Sequence, residues 1–129
     1  MAENQLTQFQ KKNYLNIESY RKSGEAVRTP VWFVEDGGSL FVRTGPNSGK
    51  VKRLKRNPNL MVVPCSMSGD PQGTWVPATF EIISDEQQAD KINSLLNKKY
   101  GLQKAILELF EGANRNESVT LKLQLTGVS

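Results

Sequence analysis

Residues 26–44 read Ala26-Val-Arg-Thr-Pro-Val-Trp-Phe-Val-Glu-Asp-Gly-Gly-Ser-Leu-Phe-Val-Arg-Thr44. The stretch Ala26 to Glu35 is dense in β-branched and aromatic residues and predicts a strand. Asp36-Gly37-Gly38 follows as a hairpin turn, in which glycine supplies the positive φ that tight connections require. Ser39 to Arg43 then returns as the next strand. Upstream, Tyr14-Leu-Asn-Ile-Glu-Ser-Tyr20 alternates weakly, predicts a further strand, and ends in the turn Lys22-Ser-Gly-Glu25. Three consecutive strands with hairpin links form a meander. A doubly wound parallel sheet needs a helix between nearly every strand pair, and these strands have none.

Working outward, Ser48 is the expected N-cap of a short helix, Gly49 to Arg56, which Asn57-Pro58 ends. The apolar run Leu60 to Cys65 predicts a buried strand, and Trp75 to Ile83 another, across a Gly/Pro/Ser/Asp-rich loop. Ser84-Asp-Glu-Gln87 has the form of a capping box. It opens a helix with Ile92, Leu95 and Leu96 on one face, stopping at Tyr100-Gly101. A second helical stretch is expected over Leu102 to Glu111. Val119, Leu121, Leu123 and Leu125 alternate with polar partners as a last strand. The sum is one α+β domain over residues 1–129, an antiparallel six-stranded barrel with peripheral helices.

Composition narrows the chemistry. Histidine is absent, which excludes His-based acid–base catalysis, Ser-His-Asp and Cys-His nucleophile systems, and His-ligated metals. The single cysteine, Cys65, can form neither an intrachain disulfide nor a Cys-rich metal site, and it reads as an inert buried strand residue. The N-terminal residues have no apolar core or basic leader, and the longest apolar run is six residues, too short for a membrane span. The expectation is a cytoplasmic protein without metal or membrane partners, whose redox chemistry would come from a cofactor.

Charge is unevenly placed. Net charge is +4, yet Arg43 to Arg56 holds six basic residues and no acid, and the rest of the chain is slightly acidic. A solvated helix face is the plain reading. The sharper one is an anion site: a helix N-terminus offers unpaired N–H groups, with the Ser48 hydroxyl and Lys50 ammonium beside them. Arg43 can grip a phosphate with its rigid fork, and Arg53, one turn beyond Lys50, shares its face. Thr44 to Lys50 is not a nucleotide P-loop, because the first glycine would have to stand at Thr44 and a Ser or Thr at Val51. A nucleic-acid-binding barrel is a further reading, but the strands lack the interleaved surface aromatic and basic residues that stack single strands.

The ordered strings at residues 27–33, 42–53, 56–58, 75–78 and 99–103 resemble the pyridoxamine 5′-phosphate oxidase-like superfamily, flavin- and deazaflavin-binding split β-barrels. The wording is closest to its deazaflavin-dependent oxidoreductase branch, over roughly residues 14 to 125. The resemblance implies a homodimer with two cofactor sites at the subunit interface. It implies that the strand carrying Arg28, Thr29, Pro30 and Val31 lies along the cofactor. It also implies that Arg43, Thr44, Ser48 and Lys50 hold the phosphate. Where the oxidases have Ser-Arg-Lys and a lysine ending the second strand, this chain has Gly49 and Phe33, so two cationic contacts typical of FMN users are missing. Gly49 leaves room for a bulkier phosphodiester tail, which favours the deazaflavin coenzyme F-420, with FMN next.

Trp75 either packs over the cofactor ring or is buried at an interface, and Pro30 suits an edge strand. Trp32 and Phe33 point to opposite faces, so one belongs to the core. The expected activity is hydride transfer to a small organic acceptor. No residue is marked as proton donor; Tyr14, Tyr20 or solvent could serve. A non-catalytic flavin-binding or storage module is the alternative.

Overall fold

The computed structural model of the chain describes residues 6–45, 49–100 and 119–126. Seven strands form one antiparallel sheet: β1 (Tyr14–Tyr20), β2 (Ala26–Val31), β3 (Val34–Asp36), β4 (Ser39–Thr44), β5 (Leu60–Cys65), β6 (Val76–Ile83) and β7 (Val119–Leu125). Their order in the sheet is β2-β1-β5-β6-β7-β4-β3. Helix α1 (Gly49–Arg56) joins β4 to β5, and α2 (Glu86–Tyr100) lies in the crossing from β6 to β7. The expected helix over Leu102 to Glu111 lies outside the described residues, as does Ser48.

The sheet has one strand more than the sequence predicts, and the reason is local. Ala26 to Glu35 is not continuous: its first part pairs with β1, then Trp32 and Phe33 leave the ladder, and β3 pairs with β4. The two outer strands of the sheet are therefore two parts of one stretch of chain. This is how the sheet is bent round into a split barrel rather than left as an open layer. The β3–β4 hairpin has Asp36 opposite Ser39, and Gly37 and Gly38 take φ of 60° and 86° between them, the left-handed pair of a two-residue turn.

Alternation sorts the strand residues by face. Leu15, Ile17, Leu40, Val42, Val62 and Leu121 are buried in the barrel interior. At one end Val51 and Leu54 of α1, three residues apart on one helix face, join that core while Lys52, Lys55 and Arg56 stay exposed. On the outer face, Ile92, Leu96 and Tyr100 of α2 pack on Val34 and Phe41 as a second cluster. The cap of α2 is Asp85, not Ser84: the Gln87 N–H donates to Asp85 Oδ1 at 3.0 Å, and the Ala89 N–H donates to the Asp85 carbonyl. The capping oxygen belongs one residue later than the capping-box pattern implies, because a carboxylate directly before the first helical residue reaches the second N–H of the helix.

Candidate cofactor site

The strand break shapes the site. The β3–β4 ladder ends at Val34 opposite Phe41. Extended by the same register, Phe33 would face Val42, Trp32 would face Arg43, and Val31 would face Thr44. They do not pair. β2 pairs only with β1, and β4 pairs with β3 and β7, so the chain leaves one edge of the sheet at Val31 and rejoins the other at Val34. Beyond Thr44 the chain leads to the N-terminus of α1.

The parting is held by the last turn of α2. Tyr100, 5% exposed, takes the Phe33 N–H at 2.9 Å, and its own proton is shared between the carbonyls of Asn13 (2.7 Å) and Phe33 (2.9 Å). Burial, ahead of other effects, pushes the Tyr100 phenol well above its ordinary value. Trp32 stacks on the Tyr100 ring at 4.3 Å with 8° between planes. Phe33 turns inward, 1% exposed, and meets Phe9 edge-on. Phe33 is thus the core member of the Trp32–Phe33 pair. Lys99 Nζ donates to the Phe33 carbonyl at 2.8 Å and stands 3.7 Å from the Phe33 ring centre. Backbone groups released from the ladder are satisfied by side chains, as a buried break requires.

Three groups of expected site residues can be followed. The first is on the outer face of β2. Arg28 Nε donates to Glu18 Oε2 at 2.9 Å, and its guanidinium lies 4.9 Å from the Trp75 ring centre. Tyr20 donates to the other Glu18 oxygen at 2.7 Å. Burial raises the Glu18 pKa, but the bonds from Tyr20 and Arg28 and the guanidinium charge outweigh it, so the net shift is downward. The Tyr20 phenol is raised by burial and by Glu18, so its proton is already committed and the residue is a poor acid. Pro30 is exposed on an edge strand, as its missing N–H suits, while Thr29 and Val31 are half-buried on the opposite face. Trp75 is half-buried over Arg28 and precedes β6 rather than opening it.

The second group is Arg43 and Thr44. Thr44 is buried. The Arg43 guanidinium turns to α2, where Nη1 donates to Asn93 Oδ1 at 2.7 Å.

The third group is at the start of α1. A Cβ added at Gly49 would lie 2.8 Å from Nη1 of Arg53, so the space beside Gly49 is filled by a cation rather than open. Arg53 is held there by its Nε, which donates to the Oγ of fully buried Ser19 at 2.8 Å. Burial lowers the Arg53 pKa, and the neighbouring charges of Arg21 and Arg56 lower it further. Lys50 is half-buried beside it. Arg21, Arg53 and Arg56 thus crowd one another, while the Arg53 guanidinium reaches back beside Gly49 at the helix start. Ser19 and Asn93, which aim Arg53 and Arg43, carry no mark in the sequence; Lys99 and Tyr100 fall in the resembling string at 99–103, which marks their positions and not what they hold.

Cys65 is buried, and burial followed by the nearby Asp70 pushes its thiol up to about 11, which makes it inert at neutral pH. Among the described residues no group of three or more Asp, Glu or Cys side chains could hold a metal ion, and no helix is long and apolar enough to cross a membrane.

No curated protein matches the sequence. Solved structures show the fold. HutZ, the heme storage protein of Vibrio cholerae, superimposes with a TM-score of 0.71 at 13% identity, over 98% of this chain and 92% of that one. A FAD-binding protein of Mesorhizobium loti gives 0.69 at 19% identity, over 98% and 90%. A structure described as F420 reductase gives 0.63 at 18% identity, over 95% and 94%. The family model described as pyridoxamine 5′-phosphate oxidase matches residues 1–128, and the chain belongs to that family of split β-barrels.

Proposed function

We propose that this protein binds a flavin or deazaflavin, coenzyme F-420 or FMN, at the interface of a homodimer and serves hydride transfer to a small organic acceptor. The carrying observation is the Gly49–Arg53–Ser19 arrangement: a guanidinium fixed beside a glycine at a helix N-terminus, with Lys50 adjacent and like charges crowding it. An anionic tail bound there would relieve that crowding, so the residues fit the group. FAD-binding and F420-reductase relatives of the fold support the same class of cofactor.

A bound cofactor of this kind supplies the hydride chemistry that no side chain of this chain can supply. The protein's part is binding and orientation. Lys50 and Arg53 neutralise the phosphate, with Thr44 just before the loop that leads to them; Arg43, turned to Asn93 here, would join only by leaving that partner. Arg28, fixed by Glu18 and Trp75, gives β2 a charged outer face, and among the described residues no strand pairs with its other edge. A second copy of the chain laid against that edge would close the site and exclude water. The Tyr20 proton is held by Glu18, which leaves Tyr14 or solvent as the proton source. A single free thiol suits the reducing cytoplasm.

The heme storage relative favours a second reading, in which the barrel binds its cofactor without turning it over. Heme, if it bound, would have to be ligated without histidine, which the chain does not contain. Paired fluorescence titrations with FMN and with F-420 at physiological salt test the proposal. Saturable binding of at least one is expected. Binding of neither would remove the reading, and a salt-dependent shift with DNA in its place would turn it toward nucleic acid. Faster reoxidation of the reduced cofactor by added acceptors in the presence of protein separates catalysis from storage.

A further inference from the structure

Besides Tyr100, three polar side chains of helix α2 reach the sheet. Lys91 pairs with Asp36 at 3.1 Å, Asn93 accepts from Arg43, and Lys99 donates to the Phe33 carbonyl. Lys91 has a carboxylate partner. Lys99 does not: among the described residues no acid lies within ion-pair distance of its Nζ, although its ammonium is fixed by a carbonyl and by the faces of Phe33 and Tyr100. The carbonyl engages one of its three protons, which leaves two donors.

Beside it lies a shallow pocket of about 240 Å³ lined by Val34, Glu35, Leu95, Lys98 and Lys99. Val34 is buried and Leu95 half-buried, so the pocket has an apolar wall. Its charged lining is two lysines against one glutamate. A net single positive charge matches a monoanion better than a dianionic phosphate, which Glu35 would also repel. An apolar wall beside a fixed cation is the arrangement that takes an organic acid: the hydrocarbon part lies on Val34 and Leu95, and the carboxylate meets the ammonium.

We propose that Lys99, with Lys98 at the rim, anchors the carboxylate of a small organic acid in this pocket beside the strand break. The site is distinct from the anion site at α1 and stands whether or not a flavin binds there. Desolvation lowers the Lys99 pKa from its ordinary value to about 8, and a carboxylate brought against it would raise it again.

The test is titration of the full-length protein with sodium benzoate, followed by calorimetry and by the lysine side-chain signals in NMR, with butylammonium chloride as the cationic control. Saturable benzoate binding is expected, with a rise in the Lys99 titration midpoint and no binding of butylammonium. Lys99→Met should weaken benzoate about tenfold or more, as loss of a charge-assisted contact does. Lys99→Arg should restore most of it, and Lys55→Met, on exposed α1, should leave it unchanged. Native circular dichroism of each variant guards against misfolding. No saturable binding to the wild-type protein, or equal affinity in folded Lys99→Met, would overturn the proposal. An FMN titration of the same samples reports on the α1 site alone, so the two readings fail separately.

Discussion

Gly49 and Phe33 stand where the resemblance to flavin-using oxidases leads one to expect an arginine and a lysine, and at both places the structure brings a cation from elsewhere. Beside Gly49 it is Arg53, one helical turn on, its guanidinium 2.8 Å from where a Cβ would stand. Against Phe33 it is Lys99, 66 residues away in the chain. The first exchange is local and keeps the charge at the helix start. The second depends on the whole fold, because it exists only where α2 docks on the strand break. A missing motif residue is therefore not a missing charge. It also means that the room Gly49 offers is already taken by the Arg53 guanidinium, so F-420 gains no steric advantage over FMN from that glycine alone.

The two places should respond differently to mutation, and the largest effect belongs to the break. Phe33→Ala removes a core ring and should cost about 3–5 kcal/mol in denaturant unfolding. A loss below about 1 kcal/mol would mean that the break packs loosely and the comparison is misplaced. Tyr100→Phe keeps the stack on Trp32 but strands the Phe33 N–H and the Asn13 carbonyl, for a loss of about 1–3 kcal/mol. Gly49→Ala should change stability by about 0.5 kcal/mol or less, since the atom it meets is the far end of a flexible side chain. Its effect should appear instead in anion affinity, by dislodging Arg53 from Ser19.

The pH response of Lys99 is the smallest effect and the one that sharpens the contrast. Its pKa falls from 10.5 unfolded to about 8 folded. As pH rises above about 8 the unfolded chain keeps this proton longer than the folded one, so stability rises with pH. Cys65, at about 11 folded against 9.0, and Tyr100, raised from 10.0, act in the opposite direction once pH passes 9 and 10. The window for Lys99 is therefore about pH 8 to 9. Chemical denaturation there should show a shallower rise for Lys99→Met than for the wild-type protein; identical slopes would place the Lys99 ammonium in water.

Much of this was legible in the residues and some was not. Helix Gly49–Arg56 and strand Leu60–Cys65 fall where the sequence puts them, because the proline stop and the apolar run are local signals. The Asp36-Gly-Gly turn is legible for the same reason. The break at Trp32–Phe33 is not, since Val31 to Val34 is an unbroken strand-forming run whose interruption is imposed by Tyr100 and Lys99. At the site, the basic residues were visible as a cluster, but their aim was not: Arg43 turns to Asn93 and Arg53 to Ser19, partners chosen by the tertiary fold.

We propose that the start of α1 is a phosphate pocket with Arg53 as its fixed cation rather than a diffuse basic face. Fluorescence titration of Arg53→Ala and Lys55→Ala, with whichever of FMN and F-420 binds the wild-type protein more tightly, tests it directly. Loss of a charged hydrogen bond predicts about tenfold or greater weakening for Arg53→Ala, and less than about twofold for Lys55→Ala, whose side chain is exposed. Equal losses in the two variants would contradict the account, because they would show that affinity follows net charge and not the pocket.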